Sequence, residues 1–177
     1  MTTIPLRTCT IRPWRLDDLE SLLVHADNPR ISANLRDVFP SPYTRADGEA
    51  WLAMAAADPD RTGFAIEVDG AVVGGIGLRI GADVHRRTAE IGYWLGEAYW
   101  GRGIVTEAVG ALTRWGIEQF DLVRIDAHVF APNVGSARVL EKNGYVLEGR
   151  LRRAVEKRGE ILDALVYAFV VEDASAG

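Results

Sequence analysis

Apolar residues recur along this chain with two periods, and the switches between them lay out its elements. Residues 9–14 read as a short strand, with Thr10 and Arg12 alternating against Ile11. Leu16, Leu19, Leu22 and Leu23 follow at helical spacing, and Asn28-Pro29 closes that helix. Residues 41–43 are loop, and Thr44 followed by Asp47 is a capping signal for a second helix through Ala50, Trp51, Met54 and Ala57, ended by Asp58-Pro59. Residues 64–68 and 71–78 read as strands joined at Asp69-Gly70, a two-residue hairpin signal. Residues 88–95 form another strand, and Gly101 to Gly103 make a tight turn. From Ile104 to Phe120, apolar residues at 104, 105, 108, 109, 112 and 115 mark an amphipathic helix. Residues 123–130 alternate Val, Ile, Ala, Val against Arg, Asp, His, Phe, as a half-buried strand does. Pro132-Asn133 opens a helix to Lys142, stopped by Asn143-Gly144. Residues 145–155 and 161–171 form a last hairpin around Lys157-Arg158-Gly159, and residues 174–177 read as a frayed tail.

The resulting order is β-α-α-β-β-β-α-β-α-β-β. Its early strands form a meander, while residues 88–130 form a βαβ unit, which makes that pair parallel. The pattern predicts one α+β domain over residues 1–177, a mixed central sheet flanked by helices. Composition adds exclusions. The 177 residues allow a core that folds alone. A formal charge of −5 argues against a nucleic-acid partner, which needs a basic face. It is compatible with a basic acceptor, but a small negative charge is more commonly a matter of solubility alone. Cys9, the single cysteine, cannot make an internal disulfide and reads as a small buried hydrophobe. His25, His85 and His128 lack ligand spacing, so no metal is expected. Residues 1–15 lack the apolar run of a signal peptide and no 18-residue apolar run exists, so the expectation is a cytoplasmic protein with no membrane partner. The tryptophans are expected in the core.

The most informative stretch joins the strand ending near Leu95 to the long helix through Tyr99-Trp100-Gly101-Arg102-Gly103-Ile104-Val105-Thr106. The first N–H groups of a helix have no internal partner, and its dipole makes that end positive. Glycines let an anion approach the backbone closely, a geometry suited to a pyrophosphate. A Walker loop would need a lysine that is absent after Gly103. A Rossmann fingerprint would need a third glycine where Thr106 stands, although Asp121 or Asp126 lies at the fitting distance. The preceding meander is not the start of a doubly wound sheet. On Gly-x-Gly alone, a plain turn without ligand stays open.

Read together, Ile91-Gly92-Tyr93-Trp94-Leu95-Gly96, Tyr99-Trp100-Gly101-Arg102-Gly103 and Thr106-Glu107-Ala108 resemble the acetyl-CoA signature of the GNAT acetyltransferase superfamily. The resemblance is to its ribosomal-protein N-terminal acetyltransferase (Rim) branch. Asn133-x-x-Ser136-x-Arg138 through Gly144-Tyr145 resembles that branch's downstream helix. Glu148-Gly149, Gly159, Asp163 and Tyr167 resemble its terminal hairpin, and Thr10-Ile11-Arg12-Pro13-Trp14 its opening. The likeness covers roughly residues 5–172. Three residues before the first glycine, where the wider superfamily often has Arg or Gln, this chain has Ala98, a feature the branch shares.

The resemblance implies a GNAT-like sheet with a βαβ acetyl-CoA-binding unit, and an N-acetyltransferase that uses acetyl-CoA as cosubstrate without a metal. It implies that amides of Gly101, Arg102, Gly103, Ile104, Val105 and Thr106 hold the pyrophosphate, and that backbone near Trp94 and Leu95 pairs with the pantetheine arm as an added strand would. Arg102 either faces the phosphates or is simply solvated. Asn133 is a natural N-cap and, by the resemblance, a pantetheine contact. Ser136 is a first-turn serine or the group beside the acetyl-CoA sulfur, and Arg138 reaches the 3′-phosphate or is solvated. Glu90, on the strand face opposite Ile91, is the candidate general base, the alternative being a strand carboxylate in a salt bridge. Glu107 reads as a structural first-turn carboxylate, and Trp51 as a candidate wall of the acceptor pocket. The acceptor is an amine, a protein N-terminus or a small molecule. It would attack the thioester directly, with Glu90 taking the proton and Ser136 helping the thiolate leave. A non-catalytic acyl-CoA-binding or sensory module is the rival reading, and a homodimer is left open.

Overall fold

The computed structural model describes residues 2–58 and 62–172. Pro59 and residues 174–177, to which the pattern assigns a helix stop and a frayed tail, lie outside the described residues. The strands are β1 (Ile4–Pro5), β2 (Thr10–Pro13), β3 (Gly63–Val68), β4 (Ala71–Ile80), β5 (Thr88–Leu95), β6 (Arg124–Phe130), β7 (Val146–Lys157) and β8 (Glu160–Val170). The helices are α1 (Leu19–Ala26), α2 (Pro29–Ser32), α3 (Arg45–Ala57), α4 (Ile104–Phe120) and α5 (Val134–Lys142). The strands lie in the order β1-β2-β3-β4-β5-β6-β8-β7. β5 and β6 pair in parallel, as a βαβ crossover requires, and β1–β2, β2–β3, β3–β4, β6–β8 and β7–β8 pair antiparallel. The predicted mixed sheet with flanking helices is therefore present. Among the described strands and α-helices, sequence pattern missed the short β1 and α2, and it also missed the 3-10 turns at Asp83–His85 and Glu97–Tyr99.

The chain divides into two compact units, Met1–Gly77 with Tyr93–Ala108, and Leu78–Gly92 with Val109–Gly177. In the first, Trp14, Leu22, Ala26, Tyr43, Leu52, Ala65 and Val72 form a core against which Phe39, Trp51 and Trp94 pack. Thr44 and Asp47 make the expected capping box that starts α3. Asn28-Pro29 does more than stop α1. The Asn28 side chain accepts from Arg30 N at 2.8 Å and Pro29 occupies the first turn, so the pair also opens α2. Asp69 and Gly70 take φ of 50° and 82°, the left-handed pair that a two-residue hairpin turn needs.

Arg12 departs from its expected place on the polar face of β2, being only 4% exposed. Its guanidinium donates to both oxygens of Asp18, at 2.9 and 2.7 Å, and to Glu67 at 2.5 Å. These bonds, that to Asp18 foremost, push its pKa up. A buried cation is tolerable only when paired in this way, and removing one partner of such a group costs about 3–5 kcal/mol. Of the tryptophans expected in the core, Trp14 is buried and Trp51 and Trp94 pack against its cluster, whereas Trp100 is 41% exposed.

In the second unit the alternation of β6 is as predicted, with Ile125, Ala127 and Val129 buried and Arg124, Asp126 and His128 on the other face. The Tyr145 hydroxyl, in a buried setting, shares a 2.7 Å hydrogen bond with Thr113. Gly144, at φ 81°, ends α5. The β7–β8 hairpin turns at Arg158 and Gly159, with φ of 53° and 81°.

Candidate active site

Within the first unit, the residues predicted to hold the cofactor arm and the pyrophosphate lie along one continuous path. The C-terminal end of β5 lies close to β4. A Cβ on Gly74 would sit 2.5 Å from the Trp94 carbonyl oxygen, and one on Gly75 would meet the Trp94 and Trp14 indoles at 2.8 and 2.9 Å. After the strand, Gly96 N–H donates to the Val73 carbonyl at 2.7 Å, and the Trp100 indole N–H donates to the Leu95 carbonyl at 2.8 Å. A 3-10 turn, Glu97–Tyr99, then leads into the glycines.

Gly101 and Gly103 adopt φ of 76° and 78°, and a Cβ on either would meet nothing within 4 Å. Packing therefore does not select glycine here. The left-handed backbone does, and it leaves open space directly over the turn. Ile104, 3% exposed, anchors the start of α4, and Glu107 N–H bonds the Gly103 carbonyl at 3.0 Å. That bond places the amides of Ile104, Val105 and Thr106 in the first turn, where a helix supplies no acceptor of its own. The site fits a phosphate group: open space, two glycines, and the positive end of a 17-residue helix.

Glu107, in the first turn of α4, is bound by the chain before β2. Its carboxylate accepts from Arg7 N, Thr8 N and Thr8 Oγ1 at 3.1, 3.0 and 2.5 Å, so it ties the β1–β2 loop to α4. The Thr8 hydroxyl bond is the main reason its carboxyl is held below the usual range. Arg102 lies over the Tyr99 ring, 5.0 Å from its centroid. Cys9 is buried, which pushes its thiol up to about 11 and removes it from consideration as a nucleophile.

The remaining candidates belong to the second unit. Asn133 caps α5, its side-chain oxygen accepting from Ser136 N at 3.2 Å. Ser136 is thus at the third helical position, half-buried, and Arg138 is exposed. Glu90 sits on β5 between the buried Ala89 and Ile91, on the opposite face, as alternation requires. Its carboxylate is ion-paired with Arg79 of β4. In register it stands beside Asp126 of β6, which lies 3.5 Å from Arg124 and 4.0 Å from His128 Nε2. Arg79, Thr88, Glu90 and Asp126 line a shallow cavity of about 230 Å³. Sequence reasoning missed Arg79 and Asp126 as neighbours of Glu90, because only strand register reveals them. The β5–β6 register ends at Glu90 and Asp126, so Ile91 and Gly92 lie beyond the last paired position of that ladder. Among the described residues, no cluster of His, Cys, Asp or Glu could hold a metal, and no helix is long and apolar enough to cross a membrane.

Comparison with known proteins shows the family and the fold. The model of the acetyltransferase (GNAT) domain matches residues 9–146. An uncharacterized N-acetyltransferase of Bacillus licheniformis is 26% identical over 96% of this chain and 97% of its own length. The ribosomal-protein-serine acetyltransferase of Escherichia coli is 35% identical over 49% of this chain, a match that spans 48% of that protein. Among solved structures, the RimL ribosomal-protein α-N acetyltransferase in complex with coenzyme A superposes with a TM-score of 0.85, covering 96% of this chain and 98% of that one at 20% identity.

Proposed function

Since this chain belongs to the GNAT family of N-acetyltransferases, we propose that it binds acetyl-CoA on the turn from Gly101 to Thr106 and transfers the acetyl group to a primary amine, with a protein N-terminal α-amine as the favoured acceptor. The observation that carries the reading is the open left-handed turn, Gly101 and Gly103 at φ 76° and 78°, at the start of α4. A phosphate there would receive amide hydrogen bonds and the helix dipole without displacing any side chain. Acetyl-CoA supplies an activated acyl group. The backbone near Trp94 and Leu95 would align its arm, and the end of the β5–β6 register after Glu90 leaves the neighbouring stretch of β5 suited to such a strand-like partner.

The chain's own groups divide the proton work. Glu90, directly or through water, takes the proton that the acceptor amine must lose, and Arg79 fixes its carboxylate. Ser136, presented at the start of α5 by the Asn133 cap, gives a proton to the departing thiolate. Amides near Trp94 and Leu95 would offset charge developing on the carbonyl oxygen. The acceptor preference follows from amine chemistry. At pH 7 roughly a tenth of α-amines are neutral, against less than about 0.1% of lysines, so one carboxylate base suits the former. The decisive experiment offers acetyl-CoA with a panel of N-terminal peptides, lysine peptides and small amines, and detects free thiol. Release with α-amine peptides is the expected result. No release with any amine, or tighter binding of NAD than of coenzyme A by calorimetry, overturns the proposal.

A further inference from the structure

The surroundings of the glycine turn carry charge in a way the turn alone does not explain. The chain is acidic overall, at −5, and Ala98 leaves no cation just before the glycines. Glu97 and Glu107 bracket the turn. The Glu107 carboxylate is engaged with Arg7 and Thr8. Glu97 is held from α2 and its cap: the Asn28 side-chain amide donates to one oxygen at 2.9 Å, and Arg30 Nη1 donates to the other. Arg30 also lies over the Trp100 ring, 5.3 Å from its centroid, while Arg102 lies over Tyr99 at 5.0 Å. Two guanidinium groups, one from 70 residues away in sequence, therefore rest on the consecutive rings that lead directly into Gly101.

An exposed arginine normally samples many rotamers, and ordering it on a ligand costs entropy. Stacking on an aromatic face together with an ion pair removes much of that freedom beforehand. A guanidinium has five N–H donors in a planar fork, and the bond to Glu97 uses one Nη atom, so the fork retains donors suited to phosphate oxygens. Asn28 serves the other Glu97 oxygen, so the ion pair occupies only part of the Arg30 fork.

We propose that Arg30 is a phosphate ligand of coenzyme A, pre-positioned beside the Gly101–Gly103 turn by Trp100 and Glu97. The proposal rests on the acetyl-CoA reading of that turn. Coenzyme A has an anionic pyrophosphate and an anionic 3′-phosphate, and a charge-assisted contact to either is worth about tenfold in affinity.

Calorimetric titration of coenzyme A and dephospho-coenzyme A into wild-type protein, Arg30→Gln and Glu97→Gln tests it. Both variants lose the same ion pair, but only the first loses the guanidinium. A ligand role predicts unequal results: Kd for coenzyme A rises about tenfold in Arg30→Gln and changes far less in Glu97→Gln, where the lost positioning of Arg30 is offset by removal of a negative charge beside the phosphates. A penalty seen with both ligands assigns the pyrophosphate, and one confined to coenzyme A assigns the 3′-phosphate. Either supports the proposal. Equal weakening in the two variants means that Arg30 only positions residues 97–100, and an unchanged Kd in Arg30→Gln means that it touches no phosphate. Both outcomes overturn the proposal while wild-type binding leaves the acetyl-CoA reading standing. Absence of wild-type binding overturns both. Unchanged melting temperatures in both variants keep misfolding from imitating the result.

Discussion

Glu90 stands in β5 with Arg79 holding its carboxylate and Asp126 beside it in register. A general base contributes on the order of 10²-fold or more to kcat, and that is the role proposed for Glu90. Glu90→Gln is therefore expected to lower kcat about 10²-fold and leave the cofactor Kd nearly unchanged, measured over pH 5–10 with one good acceptor. An unaltered kcat and pH profile would reduce Glu90 to a strand carboxylate in a salt bridge. Arg79→Gln gives a second reading of the same carboxylate. Without its ion pair the carboxylate is no longer fixed in place, so Arg79→Gln should lower kcat while leaving the cofactor Kd nearly unchanged. The identity and face of Glu90 were legible in the sequence because alternation alone sets them. Arg79 and Asp126 were not, because which residues oppose each other depends on strand register, a long-range property. Arg12 shows the same limit. Alternation places it on the polar face, and only the fold reveals Asp18 and Glu67 there, where their pairing makes burial tolerable.

At the scale of elements, local signals were strong and the sequence reading followed them closely. The long helix, the capping box at Thr44, the hairpin at Asp69-Gly70 and the glycine turn all rest on contacts within a few residues. α2 escaped notice because Asn28-Pro29 is equally good as a stop and as a start, and four residues carry no periodic signal. The turn itself makes a prediction. At Gly103, φ 78° with no neighbour within 4 Å, a methyl group meets only the backbone penalty of a left-handed L-residue, about 1–2 kcal/mol. Gly103→Ala should lower the melting temperature modestly by circular dichroism and weaken acetyl-CoA binding at least tenfold by calorimetry, because the methyl projects into the space a phosphate would use. Normal acetyl-CoA affinity in the folded variant would place the phosphate elsewhere. In the first turn of α4, Glu107 supplies a pH signature. Its carboxyl is held below the ordinary value of 4.5, first by the Thr8 hydroxyl. A depressed carboxyl contributes stability that is present above the ordinary value and lost as pH falls through the folded one. Glu107→Gln should therefore melt below wild type at pH 7, and the gap should close as the pH is lowered past about 4.5. A gap that is constant with pH would assign the loss to packing rather than charge.

For the molecule as a whole, the fold class was legible because element order restricts topology: a meander followed by βαβ admits few sheets, and the observed order keeps β1 to β5 as neighbours before the parallel step to β6. The formal charge of −5 said only that a phosphate-bearing ligand must be met by local rather than global charge. That distinction leads to a prediction on the intact protein. A ligand that binds only the folded chain stabilises it by RT ln(1 + [L]/Kd), about 2.7 kcal/mol at a concentration of 100 Kd. For a chain of this size each kcal/mol raises the melting temperature by roughly 2–4 °C. Coenzyme A at 100 Kd, with Kd taken from calorimetry, should then raise the midpoint by about 5–10 °C. NAD at the same concentration should leave it unmoved, since no third glycine and no doubly wound start accompany the turn. Because the cations at the turn are local and exposed, the coenzyme A shift at a fixed ligand concentration should shrink as sodium chloride is raised from 0.05 to 0.5 M, where the Debye length falls toward about 4 Å. A shift that grows with salt would mean that the overall negative charge, not the arginines beside Gly101, dominates how this molecule meets its cofactor.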